Sequence, residues 1–151
     1  MNGGDMLRLT LYVRPRTKKN SQQIVRVKDR FGREHMKIIP SAAYKTFEKD
    51  CLKQITGYHR WHIDRPVNVK CVFYMHTQRA VDLNNLLEAA TDMLVKAGVL
   101  ADDNSRIVAS HDGSRVRYDK KLPRVEITIT PSEDDYQLQF KAERDRQTQK
   151  R

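Results

Sequence analysis

"VNVKCVFYMHTQRAVDLNNLLEAATDMLVKAG", Val67 to Gly98, changes its hydrophobic period halfway along. Val67, Val69, Cys71, Phe73 and Met75 recur at every second position, which puts one face of a strand into a core. From Leu83 the repeat lengthens to that of a helix. At 100° per residue, Leu83, Leu86, Leu87, Ala90, Met93, Leu94 and Ala97 fall within an arc of roughly 120°, while Asn84, Asn85, Glu88 and Asp92 lie opposite. Asp82 has the chemistry of an N-cap, and Gly98 stands at the C′ position where helices commonly stop. A one-sided strand followed at once by an amphipathic helix predicts a sheet with helices packed on it.

The flanking sequence extends the same pattern. Leu7, Leu9, Leu11 and Val13 alternate as an opening strand. Short β-branched pieces on either side of Lys28 to Arg33, with Gly32 between, predict a hairpin. Ser41 caps a first helix that buries Tyr44, Phe47, Cys51, Leu52 and Ile55 and ends at Gly57. Two more strands are predicted around Ile107 to Ser110 and Val125 to Thr130. The order β, β, β, α, β, α, β, β gives an α/β (α+β) class, a mixed sheet flanked by two main helices. At 151 residues the chain is long enough to hide roughly 70% of its unfolded surface in one core. One domain is predicted over 1–131, and 132–151, polar and without periodicity, is expected to be a flexible tail.

Several classes are set aside early. No apolar run approaches the roughly 20 residues that cross a bilayer, and "MNGGDML" lacks a signal-peptide pattern, so the protein is expected in the cytoplasm with no membrane partner. Cys51 and Cys71 have no CxxC spacing and are expected as buried thiols. His35, His59, His62, His76 and His111 form no HxxxH pair. No GxSxG and no Gly-rich phosphate loop is present, so no nucleotide cofactor is expected.

Charge is unevenly distributed. The formal net charge is +10, and nine Lys or Arg residues stand between Arg14 and Lys37 against only Asp29 and Glu34. Such clustering attracts a polyanion, most commonly a nucleic-acid backbone, through counterion release. Arg14, Arg16, Lys18 and Lys19 are its leading phosphate contacts. Tyr12, Phe31 and Tyr44 could stack on exposed bases, although Tyr44 and Phe47 are expected in the core. The C-terminal "KAERDRQTQKR" adds further positive charge.

Acids gather elsewhere. From Asp82 to Asp103 there are five carboxylates, Asp82, Glu88, Asp92, Asp102 and Asp103, against one cation, Lys96. Glu88 and Asp92, four residues apart on one helical face, repel one another. Carboxylates beside a phosphate-binding surface also repel the ligand unless a cation lies between them. Asp and Asn oxygens suit Mg²⁺, which takes one or two carboxylates together with waters and phosphate oxygens. An ion so held can activate water against a phosphodiester. The blander alternatives are that Asp82 only caps its helix, that Asp102 and Asp103 only shape a turn with Asn104, and that Glu88 and Asp92 are merely solvated. Reach limits the arrangement. The helix from Leu83 to Ala97 is about 22 Å long, and Gly98 to Asp103 span at most roughly 20 Å. Asp103 therefore meets Asp82 only if that loop doubles back tightly, and a site near the middle of the helix stays open.

The motifs resemble those of the RusA-type Holliday junction resolvases over most of Leu7 to Thr130. The shared features are an opening strand leading to a loop with Pro15 and Asn20, a Ser41-led helix, Asp82-Leu83-x-Asn85-Leu86, then Ala97-Gly98-Val99 and Asp102-Asp103. The spacing between the DLxN block and the DD pair is the specific part. The resemblance implies a Mg²⁺-dependent homodimeric endonuclease, with Mn²⁺ able to substitute, that nicks four-way DNA symmetrically in strands the ligase can seal. Asp82 then matches the first metal-binding aspartate and Asp103 the later one, with Asp102 beside it, and Asn20 joins the DNA-binding loop. Two departures stand out. Asn84 replaces a carboxylate of the family's DLDN pattern, and Glu88 stands where the pattern has a catalytic lysine. Asn84 can still offer an amide oxygen, and Glu88 restores the lost charge, giving a metal set of Asp82, Asn84, Asp103 and Glu88. The lysine's successor is sought among Arg79, Lys96 and Arg115, with Arg79 and Arg115 also assigned to DNA. "HDGSRVRYDK", His111 to Lys120, resembles a phage-borne branch of the family, and its Asp112-Gly113 predicts a turn. The competing function is a branched-DNA-binding protein that has lost catalysis. The carboxylate at Glu88 argues against it, because a dead site gains nothing from restoring an anionic oxygen.

Overall fold

The computed structural model describes residues 6–18, 22–132 and 136–150. In chain order the elements are β1 (Leu7–Leu11), β2 (Gln22–Lys28), β3 (Glu34–Pro40), α1 (Ala42–Gln54), a single 3₁₀ turn at Gly57–His59, β4 (Val67–Met75), α2 (Leu83–Lys96), β5 (Val108–Ser110), β6 (Arg115–Tyr118), β7 (Arg124–Pro131) and α3 (Tyr136–Gln149). The main sheet runs β1-β7-β4-β5, with β6 also on β4. β1 and β4 are both antiparallel to β7, whereas β5 and β6 run parallel to β4, at Val67–Asn68 and at Val72–Met75. The sheet is therefore mixed, as the element order predicts.

Alternation builds the core. Leu7, Leu9 and Leu11 of β1, Val67 to Met75 at every second position of β4, and Val125, Ile127 and Ile129 of β7 are all buried. Against this face pack Tyr44, Phe47 and Cys51 of α1 and Leu86, Ala90, Met93 and Leu94 of α2. α1 and α2 touch each other and α2 touches β4. Both helices therefore cover one face of the sheet, leaving Arg8, Thr10, Lys70 and Tyr74 on the other. The two thiols are buried and free, and burial pushes each up to about 12.

The caps follow the sequence. The Ser41 side chain accepts from the Tyr44 amide and the Asp82 side chain from the Asn85 amide, each satisfying an orphan helical N–H. Gly98 ends α2 at φ +78°, and a Cβ there would stand 2.9 Å from the His62 ring, so glycine is required twice over. Gly98 O accepts from His62 N and Val99 O from Ile63 N. These bonds fold the segment after α2 back along the body.

Three elements differ from expectation. α1 stops at Gln54, and Gly57 opens the 3₁₀ turn rather than closing the helix. β6 is an unforeseen strand. Where an aperiodic tail was expected, Tyr136–Gln149 form α3. Its described side chains, 142–150, are exposed, and the Ala, Glu, Arg and Gln among them are residues of fair to good helix propensity. No helix among the described residues is long and apolar enough to cross a membrane.

Candidate active site

Because β1, β4 and β6 run the same way, the segments that follow them emerge at one end of the sheet: Tyr12 to Lys18, His76 to Arg79, and Asp119 onward. Asp82 starts α2 from that end, and α2 then runs back over the sheet. Its polar side faces the β5–β6 edge. There, Asn84, Leu87, Glu88, Thr91, Asp103, Val108 and His111 line an open cavity of about 260 Å³.

Asp103 reaches this place because its loop is tied down. The Asp102 carboxylate accepts from the Asp103 amide at 2.7 Å and from Asn104 Nδ2 at 3.0 Å, and the Asn104 carbonyl accepts from the Ile107 and Val108 amides. Asp102 is committed to the turn, and those hydrogen bonds hold its carboxyl below the usual range. Asp103 is thereby carried to the middle of α2, where its charge acts on Asp92. Asp82 remains at the N-cap and does not line the cavity. The structure thus brings together Asn84, Glu88 and Asp103, with Asp92 at their side, and leaves Asp82 at the start of the same helix.

This is an electrostatically frustrated set. The Asp92 carboxyl is pushed above its ordinary value chiefly by burial, then by the charges of Asp103 and Glu88 and the hydrogen bond with Asp103. Lys18, with Nζ 3.7 Å from Asp92 Oδ2, pulls the other way. A carboxyl raised in the folded state makes the ionised protein less stable, so the penalty is present above the folded pKa and gone below the unfolded value of about 4. Asp92→Asn is expected to raise Tm at pH 7, the gain disappearing as pH falls below about 4. Thermal melts of both proteins across that range check it.

Lys18 and His111 have roles that sequence reasoning did not assign. The sequence reading makes Lys18 a phosphate contact; the structure places its Nζ 3.7 Å from Asp92 and 6.0 Å from the Tyr44 ring centroid. His111 is fixed by a side-chain replacement for strand pairing between β5 and β6. Asn68 Oδ1 accepts from Ser110 Oγ and the Asp112 amide, Ser114 Oγ accepts from the Cys71 amide, and His111 Nδ1 lies 2.8 Å from the Val69 carbonyl. A carbonyl only accepts, so Nδ1 carries a proton, and in the neutral ring the lone pair is on Nε2. The signal was present in "HDGS", where Gly113 takes φ +86°, but only the turn was legible.

The other basic candidates lie outside this cavity's lining. Arg14 and Arg16 line a second depression of about 490 Å³ with Tyr12 and the start of α1. Both lower the pKa of His76, after burial as the main cause, and its Nδ1 is enclosed without a partner among the described residues. Arg79 lines a third depression with Arg117 and Tyr118. Arg115 is exposed, its Nε donating to the Gly113 carbonyl. Lys96 is paired with Glu48. Lys19 and Asn20, the remaining DNA-binding candidates, lie outside the described residues.

No curated protein matches the chain. The family model described as endodeoxyribonuclease RusA matches residues 12–130, a span that holds the Arg14–Lys18 segment, the DLNN helix, the Asp102-Asp103 turn and His111. The chain belongs to the RusA endodeoxyribonuclease family.

Proposed function

We propose that this protein is a Mg²⁺-dependent endonuclease that resolves four-way DNA junctions by paired symmetric nicks, acting as a homodimer. The observation that carries the proposal is the convergence of Asn84, Glu88 and Asp103 on one open cavity in a chain of net charge +10. Two active sites related by a two-fold axis suit a substrate with two-fold symmetry.

The donor set fits a hard divalent cation. Mutual repulsion among Glu88, Asp92 and Asp103 is relieved by a cation, and all the oxygens are hard ligands. Among the described residues no three His, Cys, Asp or Glu side chains gather as ligands of one ion. The protein would then offer a few oxygens, with water and DNA phosphate completing the shell, which is how Mg²⁺ is usually held at phosphates. Asp103, Glu88 and Asn84 would hold the ion, and Asp82, outside the cavity at the head of α2, would act on it through the ion's waters; Mn²⁺ would substitute. When bound, the ion supplies an activated water and stabilises charge on the phosphorus oxygens.

The chain's own groups do the remaining work. His111 lines the cavity, and its Nε2 would accept the proton released by the attacking water. Lys18 holds a positive charge beside the acids, where charge builds on the phosphate. Arg14, Arg16, Arg79 and Arg115 grip the backbone of the arms without reading sequence.

A synthetic four-way junction and a duplex of the same sequence, each incubated with protein in Mg²⁺ or in EDTA, test this. Metal-dependent paired nicks confined to the junction are expected. Tight junction binding with no cutting under any divalent ion would instead identify an inactive branched-DNA-binding protein.

A further inference from the structure

The β2–β3 hairpin forms a two-stranded sheet of its own, in register from Gln22↔Pro40 to Lys28↔Glu34. At seven residues per strand it extends on the order of 20 Å. Its tip is built with care. Asp29 Oδ1 accepts from the Phe31 amide at 2.8 Å and the Arg33 amide at 3.0 Å, and Oδ2 accepts from Arg33 Nε at 3.0 Å. The Asp29 amide donates to the Arg33 carbonyl, the Gly32 amide donates to the Asp29 carbonyl, and Gly32 takes φ +77°. What this frame presents is an aromatic ring. Phe31 is 67% exposed, with the Arg30 and Arg33 guanidinium carbons 4.9 and 5.1 Å from its centroid.

A turn needs no phenylalanine, and a fixed apolar ring in water is unfavourable. The ring gains when it meets a flat apolar surface bordered by negative charge. A nucleobase between phosphates is such a surface, and base–aromatic stacking is tolerant of sequence. Charge selects this occupant over a second copy of the chain: the hairpin carries Arg26, Lys28, Arg30, Arg33 and Lys37 against Asp29 and Glu34, and Asp29 is already paired with Arg33. Continuous duplex hides its base faces, whereas strands that part or exchange expose them.

We infer that the hairpin is a branch-point probe, in which Phe31 stacks on a base uncovered where DNA strands diverge while Arg30 and Arg33 hold the flanking phosphates. The inference rests on the junction-nuclease proposal for its substrate, but its test is run without cutting. In EDTA, wild type, Phe31→Ala and Phe31→Trp are bound to a junction carrying 2-aminopurine at the branch point and to the matched duplex. Phe31→Ala is expected to lose about ten-fold or more in junction affinity, to leave duplex affinity unchanged and to abolish the change in 2-aminopurine emission. Phe31→Trp is expected to restore both. The probe is overturned if Phe31→Ala weakens junction and duplex equally or neither, if wild type does not prefer the junction, or if the substitution changes the sedimentation state of free protein. Phe31-dependent emission from a protein that never cuts would sustain the probe and sink the nuclease. Normal cutting with Phe31-independent binding would do the reverse.

Discussion

Asp103→Asn and Asp82→Asn are each expected to slow junction cleavage by on the order of 10³-fold, which corresponds to losing the several kcal/mol that a correctly held metal contributes. Junction binding in EDTA should persist or tighten, because each change removes a negative charge near phosphate. The two variants probe different parts of α2. Asp103 stands over the middle of the helix, on the cavity wall that also holds Glu88 and Asn84, and its charge acts on Asp92. Asp82 is the N-cap, accepting from the Asn85 amide at 3.2 Å. Asparagine caps helices as well as aspartate, so Asp82→Asn keeps α2 intact and separates charge from folding. Ion binding gives a readout independent of cutting. Mg²⁺ at ten times its dissociation constant should stabilise the wild type by about 1.4 kcal/mol, roughly 3 to 6 °C in Tm for a domain of this size. Asp103→Asn should flatten that shift. If both variants cut at the wild-type rate, the site lies elsewhere.

Local periodicity made much of this fold legible. The alternation in Val67 to Met75 and the arc from Leu83 to Ala97 each report a buried face directly, and Asp82 and Gly98 bracket α2 as their chemistry requires. β6 escaped because its pattern is nearly all exposed; Arg115–Tyr118 is a strand because the edge of β4 lies beside it. α3 escaped for a related reason, since its described side chains, 142–150, are all exposed and leave no periodic trace. At the site, sequence reported which acids were present but not which would meet. The Gly98 to Asp103 loop runs back to Asp92 because Asp102 and Asn104 lock its turn, while His62 and Ile63 pair with the residues that follow α2. These tertiary bonds have no sequence period. His111 was equally hidden, because its orientation depends on Asn68 and Val69, more than forty residues away.

Lys18→Ala is expected to reduce single-turnover junction cleavage by about 10²-fold with only a small loss of affinity. Of the cations considered for the family's missing lysine, Lys96 is engaged with Glu48, Arg79 lines a different depression with Arg117, and Arg115 donates to the Gly113 carbonyl. Lys18, which lay outside that set, is ion-paired to the acid cluster, at 3.7 Å from Asp92. It comes from the segment after β1, on the far side of the sequence from the acids. A cation fixed beside developing negative charge is worth about 10²- to 10³-fold in rate, whereas one more phosphate contact changes affinity and lowers the salt slope by about one. The pair with Asp92 is too solvent-exposed, at 41% and 31% of the two side chains, to hold the fold, since such pairs contribute at most about 1 kcal/mol. Tm should therefore change little, and Lys18→Arg should recover part of the rate by keeping the charge. Should Lys18→Ala lose affinity and salt dependence while cutting bound junction at the normal rate, Lys18 is a phosphate clamp, and the charge built on phosphorus is met by the metal alone.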